Sequence, residues 1–106
     1  MSYRFMRILV FFDLPVKTSK HKKAYRDFRK FLIKSGFMMM QESVYCKIVL
    51  NTGAGNALIR HIKMNRPEEG LVQVLMVTEK QFSRMETITG QMNEDIINSD
   101  KRLIVL

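Results

Sequence analysis

The sequence predicts a two-layer α/β (α+β) sandwich, with helices on one face of a small antiparallel sheet. Three observations carry that expectation. Apolar runs of strand length alternate with two segments of helical period. Their order along the chain is β-α-β-β-α-β. The 106 residues are one domain's worth of chain (1–106), enough for one modest core.

Each element has its own signal. Phe5 to Phe12 is rich in aromatic and branched residues and reads as a buried strand, stopped by Asp13-Leu14-Pro15. Thr18 or Ser19 caps the helix that follows. In that helix Ala24, Tyr25, Phe28, Phe31 and Leu32 recur at helical spacing as one apolar stripe, and Gly36 ends it. Strands are expected from Phe37 to Gln41 and from Ser43 to Leu50, and Asn51-Thr52-Gly53 reads as a turn. A second helix, Ala54 to Asn65, turns Leu58 and Ile62 inward and is stopped by Arg66-Pro67. Glu69-Gly70 turns into a fourth strand, Leu71 to Val77. Beyond it lie a short helical turn at Glu79 to Phe82, a short strand at Met85 to Thr89, and a final strand at Arg102 to Leu106. The whole is a ferredoxin-like sandwich with extra short C-terminal strands. A sheet with helices on one side leaves its other face open. Met38, Met39 and Met40 either fill the protomer's own core or meet a second protomer packed sheet to sheet.

Charge is the unusual bulk property. Eighteen Lys and Arg face ten Asp and Glu, a net +8, and the isoelectric point is near 9.9. Such a balance speaks about partners or solubility, not about fold. The longest apolar run, Ile8 to Phe12, is far too short to span a membrane, and the start lacks a signal-peptide pattern. Cys46 is the sole cysteine, so no disulfide framework or cysteine metal cluster forms within one chain. A cytoplasmic protein with no membrane partner is expected.

The charge is concentrated. Eight of the eighteen basic residues lie between Lys17 and Lys34, against one acid, Asp27. At 100° per residue, Lys22, Lys23, Arg26, Arg29, Lys30 and Lys34 fall opposite the apolar stripe, and Lys17 and Lys20 precede them. Like charges on one helix repel, and spaced phosphates would relieve that repulsion. The alternative is a solvated helix face. Base-specific readout is not expected: there is no zinc-finger spacing, and Ser43 to Leu50 lacks the aromatic pattern of an RNA-recognition motif. Binding to the backbone without sequence choice is the better reading.

Asp13 closes the first strand just before the basic segment. A carboxylate there can hold Mg²⁺, which takes one or two protein carboxylates and keeps most of its waters. One Asp per chain is a poor site, and two copies meeting across a dimer axis a plausible one. The competing reading is a turn-forming Asp before Leu-Pro. His21 and His61 have no ligand partner at helical spacing and read as surface residues. Ser43 and Tyr45 suit phosphate positioning and strand packing equally. Glu68, Glu69, Glu79, Glu86, Glu94, Asp95 and Asp100 form no ligand spacing. A Gly-rich phosphate loop is absent from the sequence.

Several motifs together resemble a known family. They are Phe-Phe-Asp13-Leu-Pro, Tyr25-Arg26-Asp27-Phe28-Arg29-Lys30-Phe31-Leu32, Gly36-Phe37, Gln41-Glu42-Ser43-Val44-Tyr45, Val77-Thr78-Glu79-Lys80-Gln81-Phe82 and the terminal Arg102-Leu103-Ile104-Val105-Leu106. In order and spacing the chain resembles the CRISPR-associated protein 2 family, most of all the type II-A subtype. The resemblance implies a ferredoxin-like homodimer whose last strand, about residues 102–106, pairs with the other protomer's sheet. It implies that two copies of Asp13 face each other as the catalytic, divalent-metal (Mg²⁺ or Mn²⁺) site of an endonuclease of RNA or DNA. It places nucleic-acid contacts on Lys17, Lys20, Arg26, Arg29 and Lys30, beside which Lys22 lies on the same helix. It also implies a second role, without chemistry. There the dimer bridges two dimers of the integrase, CRISPR-associated protein 1, and holds double-stranded spacer DNA during adaptation. Phe12 departs from the family, which often has Tyr before the Asp.

Overall fold

The computed structural model describes residues 5–92 and Ile96. The elements run β1 (Met6–Asp13), α1 (Ser19–Lys34), β2 (Met38–Gln41), β3 (Val44–Val49), α2 (Thr52–Met64), β4 (Leu71–Thr78) and α3 (Glu79–Ser83). The sheet order is β2-β3-β1-β4 with every neighbouring pair antiparallel, the split β-α-β arrangement of a ferredoxin-like sandwich.

β1 lies inside the sheet, with its helix-facing side and the Arg7–Leu9 half of its other side buried. Ile8, Val10 and Phe12 point to the helices, where they meet Phe28 and Leu32 of α1, Tyr45 and Val49 of β3, and Ile62 of α2. Phe12 is the hub. Its ring packs edge-on against Phe28 at 5.4 Å and Tyr25 at 5.9 Å, and stacks with Tyr45 at 5.6 Å. Phe12 is therefore a core position, on the face opposite Asp13.

The other face of β1 carries Arg7, Leu9, Phe11 and Asp13. Its half nearest Arg7 is covered by the chain's own later segment: Leu9 and Cys46 pack with Phe82 and Ile96, and Met38, Met40, Val77 and Met92 close around them. Of the two roles open to the methionines, Met38 and Met40 thus serve the protomer's own packing, while Met39 lies 45% exposed. The other half of the face is bare. Phe11 is 36%, Leu75 51% and Leu71 54% exposed.

The local signals mostly hold. Thr18 is the α1 N-cap, its hydroxyl accepting from the His21 amide at 3.1 Å. α1 ends at Lys34, and Gly36 follows with φ +94°, the left-handed conformation that glycine tolerates. Lys47 Nζ donates to the Ser35 carbonyl, placing a cation at the negative end of α1.

Three expectations are corrected. Asn51-Thr52-Gly53 is not a free turn: Asn51 caps α2, its Oδ1 accepting from the Ala54 amide at 2.8 Å, so the helix begins at Thr52. Met85 to Thr89 is not a strand. Met85 and Ile88 are 44% and 89% exposed, so no core fixes an extended conformation there. His21 is not a surface residue: its side chain is only 20% exposed. The terminal strand expected at Arg102, Leu103, Ile104, Val105 and Leu106 lies outside the described residues.

Candidate nucleic-acid interface

α1 presents its apolar stripe inward, with Phe28 and Leu32 buried, so the basic residues are turned to solvent by the same periodicity. Lys22, Arg26, Arg29 and Lys30, at spacings of four, three and one, form one exposed face. Lys17 is exposed in the loop between β1 and α1. Among the described residues, direct ion pairs engage Lys20 and Lys23 only from this group. Lys20 Nζ lies 3.8 Å from Glu68, and Lys23 Nζ lies 2.8 Å from Asp27. The Lys23 ammonium draws the Asp27 carboxyl below the ordinary carboxylate value by hydrogen bonding, so the single acid of α1 is already neutralised.

One of these cations is held from below. Tyr45 is fully buried, with its ring against Phe12, and its hydroxyl accepts a 2.8 Å hydrogen bond from Arg29 Nε. That bond raises the proton affinity of a guanidinium that is charged in any case. Its use is geometric: it fixes the root of a long side chain and leaves the two terminal nitrogens to face outward.

Asp13 is exposed at the end of β1, paired in register with Leu71. It lies at the bare end of the sheet, near Phe11 and Leu71. The backbone here is closely set. Gly70 has φ +98°, and a Cβ on it would stand 2.8 Å from the Asp13 carbonyl and within contact of Leu14. Among the described residues no group of three His, Cys, Asp or Glu side chains gathers as metal ligands. One carboxylate is by itself a poor divalent-metal site, so a metal held here would need further ligands from outside the described residues. Asp13 stands at the far end of the sheet's open face from the Arg7 cluster, and the Lys17 loop links it to the basic helix.

The sequence reading missed a buried ion pair. Arg7, 1% exposed, donates from Nε and Nη2 to the two carboxylate oxygens of Glu79 at 2.7 and 2.8 Å. Its guanidinium carbon lies 4.2 Å from the Phe82 ring centroid, and Nη1 reaches the Ile96 carbonyl at 3.4 Å. The signal was present: a lone Arg in Met6-Arg7-Ile8-Leu9-Val10 must find a partner when buried. Another pairing joins distant segments, His21 Nε2 meeting Glu69 Oε2 at 2.8 Å. His61 remains exposed, its ring edge-on to Phe31 at 5.1 Å.

The fold and this surface define a small ferredoxin-like protein with a basic helical face beside a strand-end carboxylate. The family model described as "CRISPR associated protein Cas2" matches residues 6–85. The chain belongs to that family. It is 52% identical over 101 residues to a protein of Treponema denticola named "CRISPR-associated endoribonuclease Cas2", covering 95% of this chain and 100% of that one. A protein of the same name from Streptococcus mutans serotype c is 48% identical over 101 residues, covering 95% and 93%. One from Campylobacter jejuni is 40% identical over 97 residues, covering 90% of this chain and 68% of that one. Among solved structures, one described as "Crystal structure of cas2" superposes with a TM-score of 0.57 at 19% identity, covering 84% of this chain and 91% of that one, which bears on the fold alone. Among the described residues no helix is long and apolar enough to cross a membrane.

Proposed function

We propose that this chain works as a homodimer that holds the sugar–phosphate backbone of double-stranded DNA and bridges two dimers of the CRISPR-associated integrase during spacer acquisition. The observation that carries the reading is the exposed face of Lys22, Arg26, Arg29 and Lys30, without direct carboxylate partners and with Arg29 fixed on Tyr45. Doubling that face by a two-fold axis makes a platform for a duplex. The bare patch of Phe11, Leu71 and Leu75 gives the second protomer an apolar surface to cover. The Streptococcus relative supports the type II-A reading.

The experiment is a salt titration of duplex binding. If the dimer neutralises roughly 6–10 phosphates, affinity falls about 10³–10⁵-fold between 50 and 200 mM salt. A flat dependence refutes the reading. Replacing Arg26, Arg29 and Lys30 together by Ala weakens binding equally across duplex sequences, whereas a strong sequence dependence contradicts backbone binding. Co-purification with the integrase and a short duplex tests the bridge: two integrase dimers per dimer of this chain are expected.

A second reading rests on Asp13 and on the relatives' name as endoribonucleases. Here paired Asp13 carboxylates of the two protomers would hold Mg²⁺ or Mn²⁺, which supplies a Lewis acid for phosphodiester hydrolysis. This chain's own contribution is the carboxylate and the cationic face that seats RNA or DNA beside it. Metal-dependent cleavage lost in Asp13→Ala supports this reading. Cleavage unchanged in that variant removes it.

A further inference from the structure

Two tyrosines lean on the ring of Phe12 from two different elements. Tyr45 of β3 stacks on it at 5.6 Å, and Tyr25 of α1 meets it edge-on at 5.9 Å. Their hydroxyls have different fates. Tyr45 is fully buried, and its hydroxyl accepts from Arg29 Nε. Tyr25 is only half-buried. Its ring packs against the core, while its hydroxyl has no hydrogen-bond partner among the described residues and reaches solvent.

A phenol held this way is an oriented donor. The ring cannot swing without giving up its contact with Phe12, so the O–H is offered at a fixed place. Tyr25 also stands one turn before Arg29 on α1. Residues at that spacing are neighbours on a helix surface, with Cβ atoms about 5–6 Å apart. The Tyr25 phenol lies within electrostatic reach of the Arg29 guanidinium. With Nε committed to Tyr45, Arg29 keeps the N–H groups of Nη1 and Nη2, which have no protein acceptor among the described residues. Glu42, in the β2–β3 turn, acts on that guanidinium through space and makes no direct ion pair with it.

A phosphodiester offers two non-bridging oxygens and a single negative charge. A guanidinium and a phenol side by side match it. The cation meets the charge, and the neutral O–H fills an acceptor site that the guanidinium leaves open. Lys22, Arg26 and Lys30, exposed on the same helix, favour a repeating anion over a single carboxylate. We propose that Tyr25 is a further nucleic-acid contact, donating its hydroxyl hydrogen to an oxygen of the same phosphate that Arg29 grips. The inference rests on backbone binding by the α1 face. To that face it adds a neutral donor whose position is set by the core.

The test compares wild type, Tyr25→Phe, Arg29→Ala and the double variant in duplex titrations between about 50 and 200 mM salt, with a thermal melt of each. Tyr25→Phe keeps the ring on Phe12 and should melt as wild type does. Its affinity should fall about 10-fold, the size of one hydrogen bond to a charged group. The salt slope should not change, since no charge is removed. Arg29→Ala should lower the slope. The double variant should lose less than the two single losses together, because one phosphate is shared. Wild-type affinity in Tyr25→Phe, on a steep salt slope, would overturn the inference and leave backbone binding in place. Additive losses would overturn it as well, by putting the two residues on separate phosphates. A flat slope in the wild type would instead remove backbone binding, and the role of Tyr25 with it.

Discussion

Arg29 and Tyr45 are joined by a 2.8 Å hydrogen bond that runs from the solvent face of α1 to the buried middle of β3. Tyr45 is fully buried, so its hydroxyl is the one polar atom of that ring and Arg29 is its partner. The pair couples the core to the basic face, because the ring that stacks on Phe12 also sets the root of a surface cation.

Tyr45→Phe should therefore leave the fold intact and cost about 1 kcal/mol of stability. Duplex affinity should drop several-fold at constant salt slope, since no charge is removed. Denaturant melts and a binding titration on the same sample check both. A change in slope would mean that the bond is not what positions Arg29.

Arg7 and Glu79 predict a larger effect. Arg7→Ala leaves the Glu79 carboxylate against a largely apolar cluster and should destabilise the chain by about 3 kcal/mol. Arg7→Met, which fills the same space without a charge, should be milder when combined with Glu79→Gln than either single change implies. A double-mutant cycle of thermal or chemical unfolding measures the coupling.

Gly70 is constrained by conformation and space together. Gly70→Ala places a Cβ against the Asp13 carbonyl in a left-handed backbone, at a cost of about 1–2 kcal/mol or more. Because the strain falls beside Asp13, the cleavage proposed for paired Asp13 carboxylates should fall by more than the loss of folded protein accounts for. Comparing the melting temperature with the cleavage rate separates the two.

Burial pushes the Cys46 thiol above its ordinary value, with the Arg7 guanidinium opposing the shift. The folded state thus favours the neutral thiol. Its contribution to stability is fully present below the unfolded-state value of about 8.5 and declines as pH rises through the higher folded value. Wild type should lose stability relative to Cys46→Ala as pH rises above about 8.5. Unfolding curves across that range check the sign, and native protein should react slowly with thiol reagents below it.

Much of this was legible in the chain. The apolar stripe Ala24, Tyr25, Phe28, Phe31 and Leu32 set the inward face of α1, and that choice turned Lys22, Arg26, Arg29 and Lys30 outward. Thr18 and Gly36 marked its ends. Asn51 reads as part of a turn in the sequence because a capping Asn and a turn Asn look alike until the helix is placed. The apolar letters of Met85 to Thr89 suggested a strand, yet pairing needs a free neighbouring edge and a surface to pack on, which propensity does not supply.

What the sequence by itself determined was the order of elements, the face each helix buries, the concentration of charge on α1 and the carboxylate at the end of β1. Those properties depend on neighbours a few residues apart and on a fixed period. The tertiary structure alone decided that β3 inserts between β1 and β2, bringing Tyr45 under Arg29. It also decided that Glu79 reaches Arg7 and that Glu69 reaches His21. Such contacts join residues far apart in the chain, and only strand pairing and layer packing bring them within the few ångströms over which hydrogen bonds act.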